Sequence, residues 1–487
     1  MELKNLPKFS PRYGPEWGSG GIFGLKYYKK TLYFTLAFEA ESHFIDDNDL
    51  VYNFNLIGPA PRSGGDTYNA SETVDNYIYF GGWVHAPAIF EGRKEKSAAT
   101  ISFINKFSHV HYYDINERKV NLLWKDSIHN ETDWAGEVSE IIYDPINDKL
   151  IIARGDGMKN LGIYSLDRKN GTELKISEKP SLKGSILYDF LCFDQISNEN
   201  GFEGLQCYDM VERKITYYNV SSNNSADGWP LIKDKQYQGY VSIIGPTSSA
   251  YSRLFKFIKG GVYIGDPIGK NEPLMFYSLF DFGLGAYGPT RTNAIQFAGG
   301  ILIPFNSYTT GLIHPTNNNR FEEILSDATS TISSPSILLL ILPPLIKIVG
   351  IAGGRITSIE NLNSNVLLAT NTEANLARYD ANPIDIGYRS FLTLDTNSII
   401  YSKPPSLNIY LKGKLVQDRP FGGIPLTDYK EAKIKIYASK ENRLYIRAYN
   451  IFLSNNIDDP IKDENVFEIK MGSNIIDISQ YKNMIVS

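Results

Sequence analysis

Residues 136–179 read GEVSEIIYDPINDKLIIARGDGMKNLGIYSLDRKNGTELKISEK. Four strands are legible in this stretch. GEVSEIIYD is followed by PINDK, a turn rich in proline, asparagine and aspartate. KLIIARG leads through the glycine-bearing DGMKN into LGIYSLD, which pairs across RKNG with TELKIS. An Asn-Gly pair between two alternating runs is a strong short-range hairpin signal. Four short strands in one compact repeat have the length and content of a propeller blade.

The same order recurs on both sides. Upstream stand GIFGLKYY, TLYFTLAFE and HFIDDNDLVYNFNLIG, then YNASETVDN, YIYFGGWVHAP and SHVHYYDINERKVNLLWKD. A Lys-, Glu- and Arg-rich insertion interrupts the second unit near residues 91–98. Downstream, GSILYDFLCF and GLQCYDMVERKITYYNV repeat an aspartate, turn, basic-residue signature. Further units start near Ser248, Thr292 and Arg355. The expected fold is therefore all-β, a propeller of about seven four-stranded blades over residues 1–404. A pair of β-sandwiches or an irregular barrel explains whole-unit repetition less well. From about Pro405 the strands lengthen and the blade rhythm stops. Residues 405–487 read as a small β-sandwich or a set of closing strands, with FGGIP (421–425) as a crossing loop.

Composition agrees. Of 487 residues, 42% are hydrophobic and 13% aromatic, enough for a real core and biased towards strands. A net charge of −5 argues against a broad phosphate-binding surface, so direct nucleic-acid binding is not expected as the main role. Cys192 and Cys207 fall in neighbouring strand-like runs and read as buried thiols rather than a bridge or a ligand pair. The N-terminal residues lack the apolar segment of a signal peptide. The apolar run 337–342, before Pro343-Pro344, is too short to span a bilayer and reads with its successor as two buried strands. A cytoplasmic location without a membrane role is expected.

With strands lettered A to D from the axis outwards, the D–A connections and B–C loops share one face, because successive strands alternate in direction. The first three D–A connections are RYGPEWGSGG (12–21), PRSGGDTYN (61–69) and HNETDWAGE (129–137). The matching B–C loops are FEAESHF (38–44), GGWVHAP (81–87) and ARGDGMK (153–159), and later blades add GPTRTN (288–293) and NTEAN (371–375). Most of the unusual polar, aromatic and glycine-rich residues fall here, where a rigid scaffold positions loops for binding. Arg12, Glu16, Trp17, Glu39, Glu41, His43, Asp66, Trp83, His85, Trp134 and Glu137 are the candidate binding residues. Each carboxylate taken singly suits turn capping better, and the tryptophans equally suit wedges between blades. His109 and His111, two apart on a strand, project from one face and can supply two imidazoles to Zn, Mn or Fe; the same spacing also suits one packed and one exposed histidine.

RYGPEWGSGGIFGLKYY, FTLAFEAESHF, SGGDTYN, FGGWVHAP, FSHVHYYD, DWAGEVSEIIYDP and FGGIPL together resemble a family found chiefly in crenarchaea and known as a domain of unknown function. The resemblance spans nearly the whole chain. It implies an archaeal, thermophilic source and a propeller-like fold, and it carries over no activity and no catalytic residue. Two functions fit these residues. One is a binding or scaffold protein that grips a protein partner, such as a subunit of the ribosome or of an enzyme complex, on the loop face. The other is a metal-assisted hydrolase or lyase acting on a sugar-like or lactone-like small molecule at the channel mouth.

Overall fold

The computed structural model describes residues 6–9, 21–37, 41–54, 64–85, 103–197, 201–220, 244–258, 260–282, 288–289, 291–306, 332–333, 336–352, 355–371, 389–411, 421–453 and 461–487. Seven antiparallel sheets succeed one another between Ile22 and Asp395. Their first strands are, in order, Ile22–Tyr28, the pair Gly64–Asp66 and Ser71–Val74, Val138–Asp144, Gly184–Leu187, Ile244–Ala250, Ile295–Phe297 and Arg355–Leu362. Each first strand packs beside the next, and Arg355–Leu362 packs beside Ile22–Tyr28. The ring closes, and the fold is a seven-bladed β-propeller.

Strand alternation explains why the blades stack. Blade three's second strand, Lys149–Arg154, is apolar without interruption through its middle because both of its faces are covered. Leu150 and Ile152 pack with Val110 and Trp124 of blade two, while Ile151 and Ala153 pack with Leu191 and Phe193 of blade four.

The aspartate signature has a direct cause. Asp114, Asp167 and Asp209 each accept, on one carboxylate oxygen, the backbone N–H groups two and three residues on. Asp144 and Asp266 do the same. Each carboxylate satisfies turn donors that would otherwise face only water. All five turns lie on the face opposite the D–A connections. There, side chains tie one blade to the next: Arg118 to Asp46, Arg168 to Asp75, Arg213 to Asn147 and Tyr188 to Asp266.

At the other end of the first strands, ladder irregularities recur. Bulges fall at Phe23/Lys26, Val138/Glu140, Ile244/Thr247 and Ile356/Ser358. In blade two the first strand is broken outright: Gly64–Asp66 pairs opposite residues 83–85, and Ser71–Val74 opposite residues 77–80. Hydroxyls at these breaks bond carbonyls that the ladder leaves open. Thr67 donates to Gly81, Ser139 shares its one proton between Ala153 and Ser181 of the connection into blade four, and Thr357 donates chiefly to Ile22 of blade one with Ala369 alongside. A bulge re-aims the chain and increases its twist.

After Asp395 come the short helix Thr396–Tyr401 and further sheets. Lys433–Ala438 pairs with Gly472–Asp477, and Asn442–Tyr449 with Ile461–Ile469, around a core that includes Ile446, Ile469, Ile476 and Tyr481. Tyr449, Ile451 and Ile485 enter a second core with Phe255 and Phe257 of blade five and Ile301, Leu339 and Ile341 of blade six. The segment 421–425 crosses to blade five, where Gly422 and Asp281 exchange backbone hydrogen bonds of 2.6 and 2.8 Å.

Ser336–Leu342 and Leu345–Ala352 are the two strands expected around Pro343-Pro344. The cysteine reading is corrected. Cys192 and Cys207 form a disulfide, because the register of their strands sets them directly opposite with Cα atoms 4.0 Å apart. Among the described residues, no helix is long and apolar enough to cross a membrane.

Candidate functional site

The break in blade two's first strand builds the centre of the loop face. Between its two halves Asn69 takes a left-handed conformation, φ 65°, which asparagine tolerates well. Its side chain accepts from Gly24 N–H of blade one at 2.7 Å and donates to the Thr357 carbonyl of blade seven at 3.1 Å. Tyr68, beside it, is 2% exposed and packs on Leu182 and Ile196 of blade four. The Tyr68 hydroxyl donates to Asp156 Oδ2 at 2.7 Å, and Arg291, entering blade six, lays its guanidinium 4.7 Å from the ring centre. Blades two and six are not neighbours in the ring, so the contact of Tyr68 with Arg291 lies across its axis. Burial raises the Tyr68 pKa, and the Asp156 charge raises it further, so the phenol stays protonated as a donor.

A second group adjoins it on blades two and three. Lys106, 6% exposed, holds its ammonium 4.2 Å from the Trp83 ring and 4.5 Å from that of Trp134, with Phe103 at 5.3 Å. These are cation–π distances in a desolvated setting. His85 lies at the end of the same strand as Trp83, and its ring faces Phe103. Burial, helped by the Lys106 charge, lowers the His85 pKa to about 4, so it is neutral. His85 Nδ1 and Trp134 Nε1 are buried without a hydrogen-bond partner among the described residues.

Blade three locks the two groups together. Glu137 N–H donates to the Asp156 carbonyl at 2.7 Å, Gly136 N–H to Lys159 and Met158 N–H to Trp134. The D–A connection and the B–C loop of this blade therefore share one face. Arg154, 1% exposed, donates to Gly136 and to Asp126 and stacks on Trp124 and Tyr164.

Of the residues singled out in the sequence, Trp83, His85, Trp134 and Glu137 are brought to this face, Trp83 and His85 from the end of the strand Tyr77–His85 and not from a loop. Arg12, Glu16, Trp17 and Glu39 lie outside the described residues, and of Asp66 only the backbone is described, paired with Trp83. Glu41 and His43 are not loop residues. They sit on blade one's third strand, Glu41–Ile45, where His43 stacks on Phe34 at 4.9 Å and lies 3.6 Å from Glu41.

His109 and His111 do share a face, as their spacing requires, but that face is the seam between blades one and two, packed with Phe54 and Phe80. Their Nδ1 atoms are 3.0 Å apart, and His111 Nε2 lies 3.4 Å from the Tyr52 hydroxyl. Burial drives both pKa values down, that of His109 to about 3, so the two rings are neutral and bond each other. Among the described residues, no group of three or more His, Cys, Asp or Glu side chains is placed to hold a metal ion.

Sequence reading missed Tyr68, Lys106, Asp156 and Arg291, and a set of charges deeper along the axis. Lys26, Glu72, Glu140 and Glu360 stand on first strands of blades one, two, three and seven. Burial lowers the Lys26 pKa less than the three carboxylates raise it, while burial lifts Glu360 to about 7. The signal was present as a charged residue within each of these four first strands. Beneath the mouth, Asp194 accepts from Ser181 Oγ and from the Leu182 and Lys183 amides, and pairs with Lys256.

The ring, its closure and the loop-face mouth define a β-propeller with one elaborated end. The chain belongs to the family described as an uncharacterized protein conserved in archaea (DUF2139), whose model matches residues 32–379. No curated protein matches the chain. Solved structures that it resembles include virginiamycin B lyase from Staphylococcus aureus, at 10% identity and TM-score 0.44, covering 80% of this chain and 99% of that one. Hydrazine synthase from Kuenenia stuttgartiensis is similar at 11% identity and TM-score 0.38, over 81% and 98%. The PQQ-bound aldose sugar dehydrogenase from Streptomyces coelicolor is similar at 11% identity and TM-score 0.33, over 80% and 99%. Similarity at this level carries no argument about activity.

Proposed function

We propose that this protein is a binding platform that holds a protein partner on its D–A/B–C loop face. The observation that carries the reading is the pair of buried polar atoms there, His85 Nδ1 and Trp134 Nε1, which have no partner among the described residues. Buried donors and acceptors are almost always satisfied, and a partner that draws these side chains outward on docking supplies the hydrogen bonds they lack in the free chain. Two supporting features stand beside it. Trp83 and Trp134 are of the side-chain type that dominates binding energy at interfaces. Lys106 and Arg291 are already held against aromatic rings, so the face is organised before anything binds.

The test is affinity capture from an archaeal lysate with three baits: the wild-type chain, Trp134→Ala on the loop face, and Arg168→Ala on the turn face. The expected result is a protein retained by wild type and by Arg168→Ala and lost with Trp134→Ala. An identical set of captured proteins on all three baits overturns the loop-face reading.

A further inference from the structure

The first strands line the axis, and their exposure runs one way along it. Towards the loop face, Ser139, Thr247 and Thr357 are buried. Towards the turn face, Ile186 is 40% exposed, and Gln296 and Asn361 are exposed as well. Glu72, Glu140, Ser185 and Glu360 are half-buried. The buried end is closed by contacts that cross the axis. Tyr68 of blade two meets Arg291 at the entry to blade six, and Asp156 of blade three holds the Tyr68 hydroxyl. Asn69 bridges Gly24 of blade one and Thr357 of blade seven.

Beneath this seal the wall is charged. Lys26 of blade one interacts electrostatically with Glu360, Glu72 and Glu140, the last on blade three, which is not its neighbour. Among the described residues, Lys26 is hydrogen-bonded to none of the three. These charges act on one another across a shared space and not through contact. The carboxylates are held from behind: Glu72 accepts from the Thr73 and Tyr143 amides, Glu360 from the Asn361 amide, and Glu140 from the Lys183 ammonium. Ser185 and Ser249, on the first strands of blades four and five, complete a polar wall with their hydroxyls 3.2 Å apart.

We infer that the axial channel is a one-ended well: small polar solutes reach its charged wall from the turn face, and the Tyr68–Arg291 seal denies them the loop face. The well is separate from the loop-face platform. A protein docked over Trp83 and Trp134 leaves its entrance free, so the two faces can be occupied at once.

A single thiol in the wall tests the direction of entry. Cys192 and Cys207 are bonded to each other, so Ser185→Cys gives the full-length chain its one free thiol. The probe is methyl methanethiosulfonate, with labelling followed by intact mass. The thiolate attacks the sulfenyl sulfur, a disulfide forms and methanesulfinate leaves. Asn361→Trp narrows the turn-face end from blade seven and should slow labelling about tenfold, because thiol exchange depends on access. Adding Arg291→Ala opens the seal and should restore most of the rate. Adding Trp134→Ala instead, which loosens the loop face outside the seal, should restore none of it. Labelling that Asn361→Trp leaves unchanged overturns the turn-face entrance. Failure of Arg291→Ala to restore the rate, or equal restoration by Trp134→Ala, overturns the seal. Should Asn361→Trp not fold, Gln296→Trp narrows the same end from blade six and is read in the same way.

Discussion

The two faces of the ring are held by different physics. On the turn face, each link is short in sequence or confined to neighbouring blades: Asp114, Asp167 and Asp209 cap their own turns, and Arg118 and Arg168 reach the blade before. On the loop face, the links span the molecule. Tyr68 meets Arg291 and Asn69 meets Thr357 across blades that are not neighbours, while Asp194 and Lys256 join neighbouring blades four and five as a fully buried pair. Local polar contacts near water each contribute little and tolerate loss. Non-local buried ones are costly to break, because removing one partner strands the other.

The sharpest way to break this contrast is Asp194→Ala. Both Asp194 and Lys256 are fully buried, so the variant leaves an ammonium without its counter-charge and three donors without an acceptor. A loss of roughly 3–5 kcal/mol is expected in denaturant unfolding. A loss below about 1 kcal/mol would mean that the loop face is not supported from beneath.

Acid should act next. His85 and His109 have folded-state pKa values depressed to about 4 and about 3, and that of His111 is depressed as well. Between pH 6.5 and those values the unfolded chain binds protons that the folded chain refuses, so stability falls as pH drops through the window. Glu360, raised to about 7, has the opposite sign: its contribution is lost as pH rises through 4.5 to 7. His111→Phe, set among Phe54 and Phe80, should flatten the acid limb by about 2 kcal/mol at about pH 5 relative to wild type. Equal acid limbs in the two proteins would show that the seam histidines do not set it.

The smallest effect belongs to the turn face. Arg168 is mostly buried, but its partners Asp75 and Asp148 are about half or more exposed. Arg168→Ala should cost about 0.5–1 kcal/mol, and the cost should shrink as salt is raised. A cost matching that of Asp194→Ala would erase the distinction between the faces.

Legibility in the sequence divides along the same line. Blade order and the aspartate turns were readable because each rests on neighbours within one repeat, and the LIIA strand because burial on both faces leaves a continuous apolar run. Trp134 and Glu137 were readable as members of one loop class, whereas Trp83 and His85, also read as loop residues, stand on the strand Tyr77–His85. The Tyr68–Arg291 contact was not, since it depends on a strand break and on residues separated by 223 positions. Lys106 carries no signal of its own in the sequence, and only the meeting of two blades turns it into a caged cation. Cys192 and Cys207 show the same limit at short range. Their strands were recognised as neighbours, while the register that sets them opposite appears only once the sheet is formed. Glu41 and His43 were placed a few residues off, in a loop instead of a strand, because polar residues at a buried seam mimic loop composition.

The core shared by blades five and six with Tyr449, Ile451 and Ile485 has a consequence for how the protein is made. A chain leaves the ribosome N-terminus first, and domains condense as their parts emerge. Blades two to four have their packing partners early. Blades five and six do not: all of blade seven and most of the C-terminal sheets are synthesised before Ile485 can reach Phe255 and Ile301. Their apolar surfaces therefore wait, half-covered, until those last strands emerge. The order of synthesis runs against the order in which this half of the ring can be finished.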